Sequence, residues 1–217
     1  TFYGRNTESN SKMSFTNMYL PQMLLEKAIA NGCELFINTD TVLNRFTSSY
    51  ALTKKQFGDW LIYYANNKSI KVINLQLEHF FGPGTASTNF ITLMVQKMLK
   101  NDSVIPLTNA EQNRDFLYID DLLGVYDIML EKSTEFNSYE GFNVGTGKKL
   151  NLKEILEFIK KETSSISKLD YGAIPYRKNE LMESNNDISK LNKLGWEAKK
   201  TIKEGILTVI EFEKNKV

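Results

Sequence analysis

The chain has 217 residues, 41% of them hydrophobic and 24% charged, a balance that allows a sizeable buried core in one large domain or two small ones. Its 27 basic residues offset 26 acidic ones, so no overall positive field favours nucleic acid or an anionic membrane, and any bound anion needs a local site. One cysteine, Cys33, excludes an internal disulfide framework, and one histidine, His79, removes the usual clusters for structural zinc; no metal is expected, and a reducing cytoplasmic setting fits best.

In chain order, the opening TFYGRNTESNSK has no initiator methionine and does not read as a secretory signal, so a preceding N-terminal segment is expected. From Met13 to Ala30, Met18, Leu24, Leu25, Ala28 and Ile29 fall at helical intervals, with Pro21 a kink or local start and Asn31-Gly32 the stop. ELFINTDT (Glu34–Thr41) reads as an apolar run ending in hydroxyls, the strand being Leu35 to Asn38, followed by a polar loop. Ser48 to Asn66 reads as a long helix with an apolar stripe of Phe57, Trp60, Leu61 and Tyr64, capped by Ser48 or Ser49. Ile70 to Leu77 reads as a buried strand, closed by the Gly82–Gly84 turn. Strands alternating with helices of this length imply crossover connections and a parallel sheet. Helices are then expected in 87–101, after the short strand in RDFLYIDD, and at Leu152–Thr163, Asp187–Leu194 and Ile202–Lys214; GFNVGTG reads as a strand entering a glycine turn. No stretch reaches the roughly 20 apolar residues of a membrane helix.

Tyr50 and Lys54 lie four apart on the long helix and therefore on one face. An ammonium there stabilises phenolate and lowers the tyrosine from its usual value of about 10, which suits it to general-acid work. Thr39, at the preceding strand's C-terminal end, is placed to share a substrate oxygen, at the edge where open parallel sheets hold ligands. The alternative is an ordinary packing tyrosine, because Tyr50 is seven residues before Phe57 and also points inward. Tyr64 and Lys68 repeat the spacing about 21 Å further along the axis, too far to share a site, and read as structural.

FINTDT, YALTK, LEHFFGPG, RDFLYIDD, FNVGTGKKLNLKEI and DISKLNKLGW occur in the order and nearly the spacing of the extended short-chain dehydrogenase/reductase (NAD-dependent epimerase/dehydratase) family. The chain resembles that family over most of its length, and within it the nucleoside-diphosphate 4-keto-6-deoxyhexose reductases of the CDP-abequose synthase type. The resemblance implies part of a Rossmann-like doubly wound parallel sheet (1–82 and about 114–145) with a smaller C-terminal α/β substrate domain (about 83–113 and 146–217). It implies Thr39, Tyr50 and Lys54 as the catalytic set, with Tyr50 protonating a C4 ketone oxygen while NADH or NADPH delivers hydride. Tyr50, Lys54 and Leu77 would contact the cofactor; Thr41, His79, Arg114 and Arg177 would contact the nucleotide sugar, the arginines gripping its diphosphate. For either arginine alone, a surface ion pair with Asp115 or Glu180 is the alternative. Asn17 matches a helix asparagine of structural character.

The departures are specific. His79 stands where many relatives carry asparagine, with Glu78 before it; a packing histidine is the alternative. Thr41 stands where dehydratases carry a glutamate base, which favours reduction or epimerisation over dehydration. The glycine-rich phosphate loop of the first βα unit does not occur in these residues; the G-x-G of FNVGTGKK comes too late and reads as a turn. The expected activity is NAD(P)H-dependent reduction of a nucleotide 4-ketosugar in bacterial surface-polysaccharide (O-antigen) sugar synthesis, with a nucleotide-sugar epimerase or a non-catalytic sensor as alternatives. A homodimer through helices 14–30 and 48–66 is the expected assembly.

Overall fold

Ser9 opens the first helix by accepting the Lys12 N–H at 3.3 Å, in the computed structural model, which describes residues 1–4, 8–68, 70–86, 88–177, 180–184 and 186–216. The chain divides into two units, 1–77 with 126–144 and 78–125 with 145–217. The boundaries differ from those expected: residues 114–125 pack with the second unit, because the strands at 113–114 and 116–118 pair only with strands of that unit.

The first unit begins with α1 (Asn10–Ser14), a π-helical turn (Phe15–Tyr19) and α2 (Leu20–Ala30). Pro21 has no N–H for the Asn17 carbonyl, and instead of kinking the helix widens just before it, the Leu20 N–H reaching back five residues to Phe15. β1 (Leu35–Thr41), β2 (Lys71–Leu77) and β7 (Tyr139–Val144) form a parallel sheet in the order β1-β2-β7, in register Phe36↔Val72 and Val72↔Tyr139. α3 (Ser49–Asn67) is capped by Ser48, whose hydroxyl accepts the Ala51 N–H at 3.1 Å. Its stripe of Phe57, Leu61 and Tyr64 packs with Leu25, Val72 and Phe36. β1 runs three residues beyond the expected strand because Asp40 and Thr41, polar enough to suggest a loop, find their partners on α3 and β2.

The second unit is built on short strand pairs: β3 (His79–Phe81) with β6 (Phe116–Tyr118), β4 (Val104–Pro106) with β9 (Lys168–Asp170), and β5 (Asn113–Arg114) with β8 (Leu150–Asn151). α4 (Phe90–Leu99), α6 (Leu152–Glu162) and α8 (Ile202–Lys214) enclose a core of Phe81, Ile91, Met98, Ile105, Ile159 and Ile206. α4 is shorter than the expected span because Asn89 caps it, its side chain accepting the Ile91 N–H. Thr201 and Glu204 form a reciprocal capping box at the start of α8. α8 comes close to the sheet because Gly205 has no side chain; a Cβ there would lie 2.8 Å from both Phe81 and Tyr118. α5 (Ile119–Glu131) contributes its first half to this unit and its second to the other, and α7 (Ser189–Lys193) completes the chain order. Among the described residues no helix is long and apolar enough to cross a membrane.

Candidate active site

The sheet and α3 of the first unit place three of the sequence-predicted residues. Tyr50 occupies the first turn of α3, half-buried, with the Tyr3 ring 5.0 Å from its own. Lys54 follows one turn later and is buried, 8% exposed. Its ammonium has no hydrogen-bonding partner among the described residues; burial lowers its affinity for a proton, the Asp40 carboxylate opposes that shift, and Lys55 adds to it. Thr39 lies near the C-terminal end of β1. Strand alternation puts it on the face opposite Asp40, and its hydroxyl meets that of Tyr126 from α5. Asp40 faces α3 and is pinned there: Lys55 Nζ reaches its Oδ2 at 3.2 Å, Asn74 Nδ2 donates to the same atom at 3.2 Å, and the Thr41 N–H donates to Oδ1 at 2.7 Å.

Thr41 is buried, and its hydroxyl accepts the Leu43 N–H at 3.3 Å. Leu77 ends β2, buried, with its carbonyl accepting from the Val42 N–H. Asn17 is buried in the π-turn and clamps Phe2 at both its N–H and its carbonyl while donating to Thr53 Oγ1 at 3.2 Å, a structural set of contacts. Tyr64 also has a packing environment: its hydroxyl donates to Glu26, and burial raises its pKa.

The second unit holds the remaining predicted residues. Arg114 is buried and its guanidinium donates to Glu180 Oε1 at 2.6 Å, with the Gln112 amide on the same oxygen at 3.3 Å. Burial lowers the Arg114 pKa, the carboxylates of Glu180, Glu78 and Glu183 oppose that shift, and an arginine remains charged throughout the physiological range. The ion pair weighed for this arginine is therefore present, yet it is interior rather than superficial. Asp115 takes no part in it. Burial raises the pKa of its carboxyl, against the hydrogen bonds it accepts from the Thr146 N–H (3.0 Å), Thr146 Oγ1 (2.6 Å) and the Gly147 N–H (2.8 Å), which hold the glycine turn. The turn allows no side chain at Gly145, where a Cβ would lie 2.6 Å from Asp115 and 2.4 Å from Asn186.

His79 is exposed, its ring 5.5 Å from that of Phe116 and its Nδ1 3.5 Å from Glu78 Oε2. Glu78 is buried; Ser184 Oγ donates to its Oε2 at 3.3 Å, while Oε1 has no partner among the described residues. Gln112 Oε1 and both amide atoms of Asn186 are likewise buried and unpartnered. Arg177 is exposed. No cluster of three or more metal-binding side chains occurs among the described residues.

Two residues of consequence, Tyr126 and Lys55, escaped the sequence reading, and a third, Glu78, entered it only as the neighbour of His79. Tyr126 is 87 positions from Thr39, with no motif to connect them. Lys55 looks like a surface lysine beside Lys54. Glu78 did carry a signal, as an acidic residue inside an apolar strand-turn segment.

A family model described as the NAD dependent epimerase/dehydratase family matches residues 2–145. The chain is 37% identical to CDP-abequose synthase of Salmonella muenchen over 98% of its own length and 74% of that protein, and 34% identical to the Salmonella typhimurium CDP-abequose synthase over 95% and 72%. Among solved structures it resembles a UDP-glucose 4-epimerase from Thermotoga maritima solved with UDP-glucose (TM-score 0.85, 23% identity, 96% of this chain and 72% of that one). It also resembles RMD from Pseudomonas aeruginosa complexed with NADPH (TM-score 0.87, 15% identity, 100% and 79%). At those identities the structures establish the Rossmann-type α/β fold.

Proposed function

Because the chain belongs to the NAD-dependent epimerase/dehydratase family, an enzyme family working with a nicotinamide dinucleotide, we infer that it reduces the C4 ketone of a nucleoside-diphosphate 4-keto-6-deoxy or 3,6-dideoxy hexose. The observation that carries this reading is Lys54: a largely buried lysine whose ammonium has no hydrogen-bonding partner among the described residues, one helical turn from a tyrosine. Holding a lysine that far from bulk water without a hydrogen-bonding partner costs stability, as a functional charge does. Free donors at this position suit the ribose hydroxyls of a nicotinamide nucleotide, so the residues present fit that half of the cofactor; Leu77 is the third contact proposed for it. When bound there, NADH or NADPH would supply the hydride that the reduction needs.

The chain's own residues do the rest. The Tyr50 phenol holds the proton that passes to the ketone oxygen, and the Lys54 charge stabilises the phenolate left behind. The Thr39 hydroxyl, bonded to Tyr126, shares that oxygen. Thr41 offers a hydroxyl where C5 proton abstraction needs a carboxylate, and Asp40 is committed to Lys55 and Asn74, so reduction is favoured over dehydration. Arg114 and Arg177 are assigned the diphosphate and His79 the sugar or phosphate, with Glu180 giving up the Arg114 guanidinium as substrate binds. The two CDP-abequose synthase relatives support a sugar of bacterial surface polysaccharide as the product. Epimerisation at the same carbon is the second reading, favoured by the 29% identity to a putative UDP-glucose 4-epimerase of Methanocaldococcus jannaschii.

A homodimer through α2 and α3 belongs to the same proposal. Its support is a run of exposed apolar side chains: Phe15, Tyr19, Met23 and Leu24 on the first helical segment, and Trp60 and Tyr63 on α3. Sedimentation at micromolar concentration tests it, a monomer ruling it out.

The enzymatic test is a screen of CDP-, TDP- and GDP-4-ketosugars that follows absorbance of the reduced nicotinamide. A reductase consumes the cofactor stoichiometrically, an epimerase does not, and no turnover with any of the three would sink both readings.

A further inference from the structure

We propose that Lys55 is a positioning residue for the reaction: it fastens α3, which carries Tyr50 and Lys54, to the C-terminal end of β1, which carries Thr39. The inference rests on the reading of those three residues given above.

An ammonium has three donors and no acceptor, and Lys55 finds three acceptors. They are Asp40 Oδ2 at 3.2 Å, Gln76 Oε1 at 2.8 Å and the Thr41 carbonyl. Each comes from a strand end, two from β1 and one from β2, so all three donors are committed to the edge of the sheet. The acceptors are held in turn. Asp40 Oδ2 also takes Asn74 Nδ2, Asp40 Oδ1 takes the Thr41 N–H, and Asn74 Oδ1 takes Asn38 Nδ2 at 2.7 Å.

The Lys55 side chain is 17% exposed and that of Asp40 1%. A solvated helix-face lysine keeps its rotamers free; this one has none left to sample. The consequence is geometric. Thr39 lies next to Asp40 in sequence, and Lys54 next to Lys55, so the clamp ties the neighbour of the threonine directly to the neighbour of the catalytic lysine. A misplacement of about 1 Å at reacting groups costs on the order of 10²-fold in rate.

Lys55→Met keeps the stem and removes the donors. Two measurements on the same variants test the role. In the chain without ligands, hydrogen exchange at the Val42 and Leu43 amides, which follow the clamped end of β1, should speed up, while amides of α8 stay unchanged. With the ketosugar and nicotinamide that the screen identifies, kcat should fall about 10–100-fold and KM stay within about twofold. Asp40→Asn should give the same kcat loss, and the double variant no more than either single one, because the pair acts as a unit.

Unchanged exchange at Val42 and Leu43 overturns the proposal. So does a kcat equal to that of the parent, or an additive double variant. A parent chain that turns over no ketosugar would sink the proposed function, and the exchange measurement would then decide the clamp alone.

Discussion

Asp40 and Glu78 are both buried carboxylates next to a strand end, and their surroundings differ in one respect. Every oxygen of Asp40 is used, by Lys55, Asn74 and the Thr41 N–H, inside a network that extends to Asn38, Gln76 and Tyr139. Glu78 uses Oε2 and leaves Oε1 without a partner among the described residues, and in the same unit Gln112 and Asn186 have buried polar atoms in the same condition. A buried polar group left unsatisfied costs about 1–3 kcal/mol. A closed network holds its helix and strands in one arrangement. The two carboxylates thus differ in how far the described residues satisfy them: Asp40 is fully bonded, and Glu78 is bonded through one oxygen.

The largest effect that would sharpen this contrast is expected at Arg114. Arg114→Ala removes a buried guanidinium and should weaken nucleoside-diphosphate-sugar binding by about 2–5 kcal/mol, read by calorimetry; unchanged affinity removes the diphosphate role. The converse change, Glu180→Gln, frees the guanidinium from a competing charge and should tighten the same ligand several-fold, whereas looser binding would mean that Glu180 itself contacts the ligand.

Next comes a pair of near-isosteric substitutions that sets one unit against the other. Asn74→Leu breaks the closed network, orphaning Asn38 and Tyr139, and should cost about 1–3 kcal/mol for each buried group left unpaired. Asn186→Leu removes a side chain that has no partner among the described residues and should leave Tm unchanged or higher. Equal losses at both positions in thermal melts would abolish the distinction.

The smallest effect is on stability alone. Burial lowers the Lys54 pKa, so the unfolded chain binds that proton more tightly than the folded one. The group's contribution is therefore most favourable above the unfolded-state value of about 10.4 and is lost as pH falls through the lower folded-state value. At neutral pH it is a net cost, and Lys54→Met should raise Tm by a few degrees while removing turnover. A lower Tm at pH 7 would show that the ammonium is paired in solution.

The sequence made some of this legible for local reasons. α3 could be read because its cap, Ser48, and its apolar stripe are written within a few residues, and the span expected for α8, Ile202–Lys214, coincides with the helix observed. β1 was read too short because Asp40 and Thr41 resemble loop residues until Lys55 and Asn74 are seen to satisfy them. β4, β5, β8 and β9 span two or three residues each, too few for any period to show. Tyr50 and Lys54 were found through their spacing on one helix face, Arg114 and His79 only through the family resemblance. The contact of Thr39 with Tyr126, and that of Arg114 with Glu180 across 66 positions, are set by tertiary packing and leave no trace in local pattern.

Nicotinamide-linked turnover of a 4-ketosugar by Tyr50→Phe, set beside that of the parent, tests the central claim most directly. Loss of one phenolic oxygen should lower kcat by about 10²–10⁴-fold with cofactor affinity unchanged. A variant that keeps most of the parent rate would show that Tyr50 is not the acid.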